Sequence, residues 1–193
     1  MSSAAVAFNA GQFGVAGPWG WLIIRGVEEQ SPGVGPLSSA LVVDTAGGVR
    51  LVTAQGIPAV RRGGGVAEAF QSYPTLLDGD GDVPAALRAP DRGVSLAHRD
   101  ARLAIGTLRD GRLLIALTRF DAFEGALSGL PFGPTVPETA AIMGALGARQ
   151  AMLLDGGISG QLVVRDSLGG AQEWRGFRKV PLALVIESRG APH

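Results

Sequence analysis

Cysteine is absent from the 193-residue sequence, and histidine occurs only twice, at His98 and His193. The lack of cysteine excludes disulfide bonds, thiolate metal sites and a cysteine nucleophile. With only two histidines, a metal site built from two or three of them is not expected. The sequence therefore predicts no metal or cofactor, although a divalent ion near the acidic turn at Asp155 stays open.

An excess of charge of one sign is also missing, since 17 basic residues balance 17 acidic ones. The longest basic run is Arg61-Arg62, so neither nucleic acid nor an anionic membrane is a predicted partner. No apolar run reaches the roughly 18 residues that a membrane span needs. The oligomeric state is left open.

The first eight residues, Met1 to Phe8, lack the basic and long apolar segments of a signal peptide. A chain from which a leader had been removed would look the same. The sequence therefore leaves the compartment open, with export as one alternative.

Glycine and proline are abundant, with 30 and 12 residues, and they separate short apolar runs that are typical of strands. One hairpin is predicted to join residues 102–106 to residues 112–118 through an Asp-Gly turn. An apolar pattern at helical spacing predicts a helix over residues 136–146, with Thr135 as its N-cap. A short helical turn is expected over residues 67–71.

Strands outnumber helices in this reading, and no strand-helix-strand period repeats. The predicted fold class is therefore α+β, with a mixed, largely antiparallel sheet and few helices. The length fits a single domain over residues 1–193, and an apolar content of 46% is enough for a substantial core.

The stretch from Met152 to Val164 is the part of the sequence that most clearly indicates a functional site. Two apolar runs flank an acid, two glycines, an isoleucine, a serine and a glycine. A turn of this composition exposes Asp155 and Ser159 at a strand end, where glycine lets a ligand approach the backbone. An ordinary Asp-Gly hairpin turn is an equally good interpretation of the spacing alone.

Carboxylates are the best candidates for catalysis. Glycoside hydrolysis uses two acids on either side of one bond, and Asp155 is the first candidate. The possible partners are Asp44, Asp100, Asp121, Glu124 and Glu138. For each of them a solvated surface acid is the better interpretation of the sequence alone.

Two further groups could take part in chemistry. Arg102 opens an apolar strand, and its guanidinium could hold a phosphate or carboxylate, although a strand-end arginine often does neither. His98 could form a triad with Ser159 or Ser72. The sequence around these serines lacks the Gly-x-Ser-x-Gly pattern, which argues against a triad.

Five stretches follow one another along the chain: Phe8-Asn9-Ala10-Gly11-Gln12-Phe13, Gln71-Ser72-Tyr73-Pro74-Thr75-Leu76-Leu77, Arg102-Leu103-Ala104-Ile105-Gly106, Pro134-Thr135-Val136-Pro137-Glu138 and Leu154-Asp155-Gly156-Gly157-Ile158-Ser159-Gly160. In this order they resemble the phosphodiester glycosidase family, which includes the mammalian mannose 6-phosphate uncovering enzyme. The similarity spans roughly residues 5–187.

The resemblance implies a hydrolase that cleaves the glycosidic bond of a sugar-1-phosphodiester, such as one that carries N-acetylglucosamine. The substrate would be a glycan or small molecule that contains phosphate. The implied catalytic residues are Asp155 as the ionised carboxylate, Arg102 on the phosphate and Glu138 as the acid partner. The implied substrate-binding residues are Asn9, Gly11, Ser72, Thr135, Gly156, Gly157 and Ser159.

The sequence departs from the family pattern at Gln12, Tyr73, Ile158 and Gly160, which would alter the lining of the pocket. A different sugar, a different leaving group or a lost activity are all compatible with these changes. One alternative is a non-catalytic carbohydrate- or cell-wall-binding domain of the same fold, in which Trp19, Trp21 or Trp174 would stack on sugars. Another is a phosphodiesterase that cuts at phosphorus.

Overall fold

The structure is a computed structural model that describes residues 4–79, 81–87, 95–119 and 132–187. Three candidates named above, Asp121, Glu124 and His193, lie outside these residues. Over the described ranges the chain has fifteen strands and two α-helices. In chain order they are β1 Ala5–Asn9, β2 Phe13–Gly14, β3 Gly17–Pro18, β4 Leu22–Ile24, β5 Val27–Gln30, β6 Ser39–Asp44, β7 Val49–Thr53, α1 Ile57–Gly63, β8 Val66–Ser72, β9 Thr75–Leu77, β10 Arg102–Leu108, β11 Leu113–Thr118, α2 Val136–Ala145, β12 Ala148–Leu153, β13 Leu162–Arg165, β14 Ala171–Trp174 and β15 Ala183–Glu187.

The first large sheet has five strands in the order β5-β4-β8-β6-β7, all antiparallel to their neighbours. Trp21, Ala40, Val42 and Ile57 are buried together in a cluster that joins this sheet to α1. Trp21 is fully buried, and its indole N–H donates to Glu28 Oε2 at 3.0 Å. This tryptophan therefore belongs to the core and is not accessible to a sugar.

The second sheet has the order β11-β10-β12-β9, and α2 packs against it. The helix begins with a capping box, because Thr135 and Glu138 each bind the backbone N–H of the other. Its buried face includes Val136, Ala140 and Met143. Gly147, with φ of 91°, follows the helix and permits the reversal into β12.

The third sheet has the order β14-β13-β1-β15, so the first strand lies between two strands from the end of the chain. Phe8 pairs with Leu162 on one side, and Asn9 pairs with Ala183 on the other. A central core, which includes Phe8, Leu103 and Met152, connects the strands of the three sheets. This arrangement brings the end of β1 to the segment that follows β12.

The predicted α+β class is confirmed, with mostly antiparallel sheets and few helices. The hairpin of β10 and β11 and the helix after Thr135 are also as expected. The helical turn expected over residues 67–71 was wrong, because that segment is part of β8. Pairing with β4 and β6 in the middle of a sheet overrides the local preference of a short segment. The sequence also gave no expectation of α1.

No helix in the described ranges is both long and apolar enough to cross a bilayer.

Candidate functional site

The turn that carries Asp155 is held between the end of β1 and the start of β10. Three backbone hydrogen bonds fix it. Leu154 N–H donates to Leu103 O at 2.8 Å, Asp155 N–H donates to Ala10 O at 3.2 Å, and Gly157 N–H donates to Ala101 O at 2.8 Å. The turn is therefore a rigid corner shared by two sheets, which is more than an exposed hairpin tip.

Asn9 locks both sides of this turn from the end of β1. Its amide nitrogen donates to Asp155 O at 2.6 Å, and its amide oxygen accepts from Gln161 N–H at 2.9 Å. The side chain is only 1% exposed. Because both ends of the amide are used inside the protein, Asn9 acts as a positioning residue for Asp155.

The two glycines after Asp155 allow the close approach of neighbouring segments. A Cβ atom on Gly156 would lie 2.5 Å from Ala101 O, which no side chain tolerates. Gly157 has φ of 56°, and a Cβ there would lie 2.7 Å from Asp100 Oδ2. The glycines thus let the backbone at residues 100–101 pack directly against the turn, and they bring the Asp100 carboxylate over it.

The Asp155 carboxyl is half-buried, and its pKa is raised above the ordinary value. Burial is the main cause, and the negative charge of Asp100 acts in the same direction. A hydrogen bond with the side chain of Ser159 and the positive charge of Arg178 oppose the shift in the pKa of Asp155 without cancelling it. Ser159 is itself 2% exposed. A buried acid with a raised pKa is a frequent feature of catalytic sites.

Asp100 is the second carboxylate that the structure brings to this turn. Its Oδ1 accepts from Ala101 N–H at 2.8 Å, and its Oδ2 lies 3.7 Å from His98 Nε2. The sequence indicated Asp100 only as one of several possible partners. The fold distinguishes it, because its carboxylate packs against Gly157, two residues after Asp155, and its charge contributes to the raised pKa of Asp155.

Arg102 lies beside the turn through its backbone, since a Cβ on Gly156 would be 3.3 Å from Arg102 Cα. Its half-buried guanidinium donates from Nε to Pro134 O at 3.1 Å and from Nη2 to His98 O. Burial lowers the pKa of Arg102, and the charge of Asp100 opposes this. Through these two contacts Arg102 links the segment before β10 to the segment before α2.

Glu138 and Thr135 lie at the start of α2. The Glu138 carboxylate accepts from both Nη1 and Nη2 of Arg99, at 2.9 and 2.7 Å, and Arg99 also donates to Gly133 O. The pKa of Glu138 is lowered, first by the backbone N–H of Thr135 and then by Arg99. Its described contacts are with the helix cap and Arg99, not with Asp155. A carboxylate this strongly held in its ionised form is poorly suited to donate a proton.

Gly11 and Ser72 pack beneath the site. A Cβ on Gly11 would lie 2.5 Å from Gln71 O, so the two segments are in backbone contact. Ser72 is fully buried, and its hydroxyl donates to Leu153 O at 2.6 Å. Ser72 thus holds the strand that leads into the Asp155 turn, and Gly11 lets the segment after β1 pack against the end of β8.

Tyr73 and Arg178 are two residues near Asp155 that the sequence did not assign to the site. Burial, followed by the charge of Asp155, raises the pKa of Tyr73. Arg178 is exposed and lies 4.4 Å above the ring of Phe13. Tyr73 was noticeable as the single tyrosine in a family-like stretch, whereas nothing in the sequence pattern marks Arg178.

The larger surface cavities are elsewhere. One of about 460 Å³ lies between residues 35–38 and Leu87, and one of about 480 Å³ lies next to α1. Neither is lined by Asp155 or Asp100 in the described ranges. In the described part of the chain the acid pair, and not either cavity, has the two carboxylates that glycoside hydrolysis needs. Among the described residues, no group of three or more His, Asp or Glu side chains could hold a metal.

The chain is similar in sequence to one known protein family. The sequence profile of the phosphodiester glycosidase family matches residues 2–187. Comparison with curated protein sequences finds no match.

Solved structures share the fold. The catalytic domain of zebrafish N-acetylglucosamine-1-phosphodiester alpha-N-acetylglucosaminidase, auto-inhibited by its pro-peptide, has a TM-score of 0.66 at 18% identity, over 95% of this chain and 63% of the zebrafish chain. A hypothetical protein from Synechocystis has a TM-score of 0.54 at 17% identity, over 94% of this chain and 51% of the other.

At these identities the structural likeness shows the fold alone, and this chain spans less than two thirds of either relative. The family profile, in contrast, covers nearly the whole length and agrees with the resemblance seen in the sequence motifs. The chain belongs to the phosphodiester glycosidase family.

Proposed function

We propose that this protein is a hydrolase that cleaves the glycosidic bond of a sugar-1-phosphodiester, such as one that carries N-acetylglucosamine, with Asp155 as its central catalytic residue. The observation that carries the proposal is the pairing of Asp155 with Asp100 at a turn whose next two residues have no side chains. Family membership supports the reaction type.

The reaction breaks the bond between the anomeric carbon and the phosphate oxygen. The phosphate monoester leaves with the electron pair of that bond, and water supplies a hydroxyl to the sugar and a proton that the acid pair accepts. The sugar carbon gains positive charge in the transition state. An ionised carboxylate next to that carbon stabilises the charge, either as an ion or as a nucleophile.

We assign Asp155 the role of this ionised carboxylate. Its raised pKa makes the ionised form a stronger base and nucleophile than a solvated carboxylate. The departing phosphate is already a weak base, so it needs little help from an acid. We propose Asp100, in place of Glu138, as the second carboxylate, because Asp100 faces the same turn.

A guanidinium is the natural partner for the phosphate. Arg102 remains a predicted contact, although two of its nitrogens already donate to main-chain carbonyls. Arg178 is exposed and its charge reaches Asp155, so we propose it as a further cation for the leaving group. Asn9 holds the backbone of Asp155, and Ser159 hydrogen-bonds its carboxylate.

The deciding experiment is Asp155→Asn with a chromogenic sugar phosphodiester as substrate. We expect release of free sugar to fall by at least about 10²-fold, because the variant loses the ionised carboxylate that we propose stabilises the positive charge on the sugar carbon. Circular dichroism should show an unchanged fold. Glu138→Gln is the matched control, since it makes the same chemical change at the other acid, and it should retain most of the activity.

Three outcomes would contradict this assignment. Full activity in Asp155→Asn would remove Asp155 from the mechanism. Release of sugar-1-phosphate in place of free sugar would indicate a phosphodiesterase that cuts at phosphorus. Saturable sugar binding with no product from the wild-type protein would indicate a carbohydrate-binding domain.

A further inference from the structure

We propose that Arg119, which directly follows β11, is a substrate-binding residue whose guanidinium holds an oxyanion beside the Asp155 turn. That this oxyanion belongs to the substrate rests on the proposed function. The Nε atom of Arg119 is buried, and no residue that the structure describes accepts a hydrogen bond from it. It is the one buried side-chain nitrogen or oxygen in this state within the described ranges. Burial of a charged donor without an acceptor is unfavourable, so this donor is a candidate for binding an acceptor from outside the chain.

The rest of the guanidinium shows which edge is available. Nη1 of Arg119 donates to Arg175 O at 3.2 Å, which fixes that end. Nε and Nη2 share the other edge, through which an arginine binds both oxygens of a carboxylate or phosphate side by side. Arg61 binds Glu28 through this edge, with Nε and Nη2 at 2.9 and 2.6 Å from the two carboxylate oxygens. In Arg119 the same edge has no acceptor from the described part of the chain.

Arg119 lines a narrow cleft together with Ala101, Gly157 and Phe177. Gly157 comes two residues after Asp155, and Phe177 is 63% exposed, so the cleft lies at the protein surface next to the Asp155 turn. Its volume is about 10 Å³, which is enough for about one atom the size of a water oxygen. The cleft can therefore take one oxygen of an anion whose other atoms stay outside it.

Contacts between neighbouring segments fix Arg119 relative to the Asp155 turn. Gly176, the residue after Arg175, packs on Ile158, because a Cβ on Gly176 would lie 3.1 Å from Ile158 O. Ile158 belongs to the turn, and Arg175 O is the atom that holds Nη1 of Arg119. An oxyanion on Arg119 would therefore be held at a fixed place beside the proposed catalytic carboxylate.

Phosphate and carboxylate groups both have the paired oxygens that this edge binds. In a sugar-1-phosphodiester the oxyanion is either the scissile phosphate itself or a second acidic group on the leaving alcohol. A neutral leaving alcohol offers Arg119 only the first of these, so the two sources can be separated by experiment.

The first test compares wild-type protein with Arg119→Met in the presence of inorganic phosphate. Phosphate binding, measured by isothermal titration calorimetry, should weaken about tenfold or more, because charge-assisted hydrogen bonds are lost. Without phosphate the melting temperature of Arg119→Met should be no lower than that of the wild type, since the buried nitrogen loses no described partner. Unchanged phosphate binding, or no phosphate binding by the wild type, would overturn the assignment.

Arg119→Lys keeps the positive charge but lacks the edge formed by Nε and Nη2. It should bind phosphate more weakly than the wild type and more tightly than Arg119→Met. If Arg119→Met unfolds too early to be measured, the lysine variant decides, and wild-type affinity in Arg119→Lys would overturn the role of the edge.

Arg109→Met is the matched control. Arg109 is exposed in the turn at the other end of the hairpin of β10 and β11, so this variant loses the same charge away from the cleft. It should bind phosphate as the wild type does. Equal losses in Arg109→Met and Arg119→Met would show a general effect of net charge and would also overturn the assignment.

The second test identifies the oxyanion, with Asp155→Asn protein as the background so that the probes are not turned over. One probe is N-acetylglucosamine-1-phosphate esterified to methanol, and the other is the same phosphate esterified to glycolate, which adds a carboxylate. If adding Arg119→Met weakens binding of both probes, the scissile phosphate is the oxyanion. If it weakens binding of the glycolate probe alone, the carboxylate is the oxyanion. No effect on either probe would remove Arg119 from substrate binding.

The oxyanion site and the proposed function can fail separately. If wild-type protein hydrolyses neither probe but Arg119→Met weakens phosphate binding, the proposed function fails and the oxyanion site stands. If hydrolysis occurs and Arg119→Met changes the binding of neither phosphate nor the probes, the oxyanion site fails alone.

Discussion

Two acids at the edges of the second sheet, Asp155 and Glu138, are held in opposite ways. Glu138 is half-exposed, completes a capping box and accepts two hydrogen bonds from Arg99, so its pKa is lowered. Asp155 is half-buried beside another acid, and its pKa is raised. The protein stabilises the charge of one carboxylate and tolerates an unfavourable charge on the other.

The difference supports the proposal that Asp155, and not Glu138, acts in catalysis. A carboxylate whose ionised form stabilises the fold needs no functional reason to be present. A carboxylate whose ionised form is unfavourable needs another reason to persist, and active sites commonly hold such groups at the expense of stability. Three pairs of variants test this contrast.

The largest expected effect on stability comes from adding a methyl group to the Asp155 turn. Gly156→Ala places a Cβ 2.5 Å from a main-chain oxygen that cannot move without disturbing β10. We expect the free energy of unfolding to fall by about 2–3 kcal/mol, together with a loss of hydrolysis. Urea unfolding measures the first effect, and the sugar-release assay measures the second.

The matched change in the helical region is Gly144→Ala in α2. There the nearest atom, Leu77 Cδ1, would be 3.9 Å from the new Cβ, which is an ordinary contact. Alanine is the better helix former, so we expect a gain of about 0.5–1 kcal/mol. Equal effects of the two substitutions would show that the turn is no more constrained than the helix.

The second test compares Asp155→Asn and Glu138→Gln in thermal unfolding as a function of pH. Because the pKa of Asp155 is raised in the folded state, its ionisation disfavours folding at pH 7. Asp155→Asn should therefore raise the melting temperature at pH 7. The gain should shrink as the pH falls through the raised pKa towards the ordinary value of 3.8.

Glu138→Gln should lower the melting temperature at pH 7, since the lowered pKa of Glu138 means that its ionisation favours folding. That loss should persist to more acidic pH, because the stabilising charge disappears only as the pH falls below the ordinary value of 4.5 and through the lowered pKa. Effects of the same sign in both variants would contradict the contrast between the two acids.

The smallest expected effect is a shift in the pH profile of hydrolysis. The acidic limb of kcat/KM should follow the pKa of Asp155. Asp100→Asn removes a charge that raises the pKa of Asp155, so the acidic limb of the residual activity should move to lower pH. Arg178→Gln removes a charge that lowers the pKa, so its acidic limb should move to higher pH. Shifts in the same direction would show that Asp155 does not set the profile.

The local sequence predicted the features that depend on short-range chemistry. The Asp155 turn was visible from its glycines, and α2 was visible from Thr135 and the apolar spacing over residues 136–146. Glu138 was named as one of several candidate acids, and the family resemblance implied its catalytic role. The structure shows that the helix cap at Thr135, together with Arg99, occupies the Glu138 carboxylate.

Features that depend on long-range pairing were not predictable. Asp100 reaches Asp155 only because β10 and β12 are neighbours, with Ala104 opposite Leu153. Residues 67–71 are a strand because two other strands flank them. Arg178 comes from a loop whose backbone binds Ile158 O, a contact that no spacing rule reveals.

The bond from Asn9 to Asp155 joins residues that are 146 positions apart. The strand that carries Asn9 also needs β13 and β15 as neighbours on either side. Residues 162–187 must therefore be synthesised before β1 can pair with its neighbours, and such distant closure slows folding. The Asp155 turn, which Asn9 holds from the end of β1, cannot take its final shape until these late strands have paired.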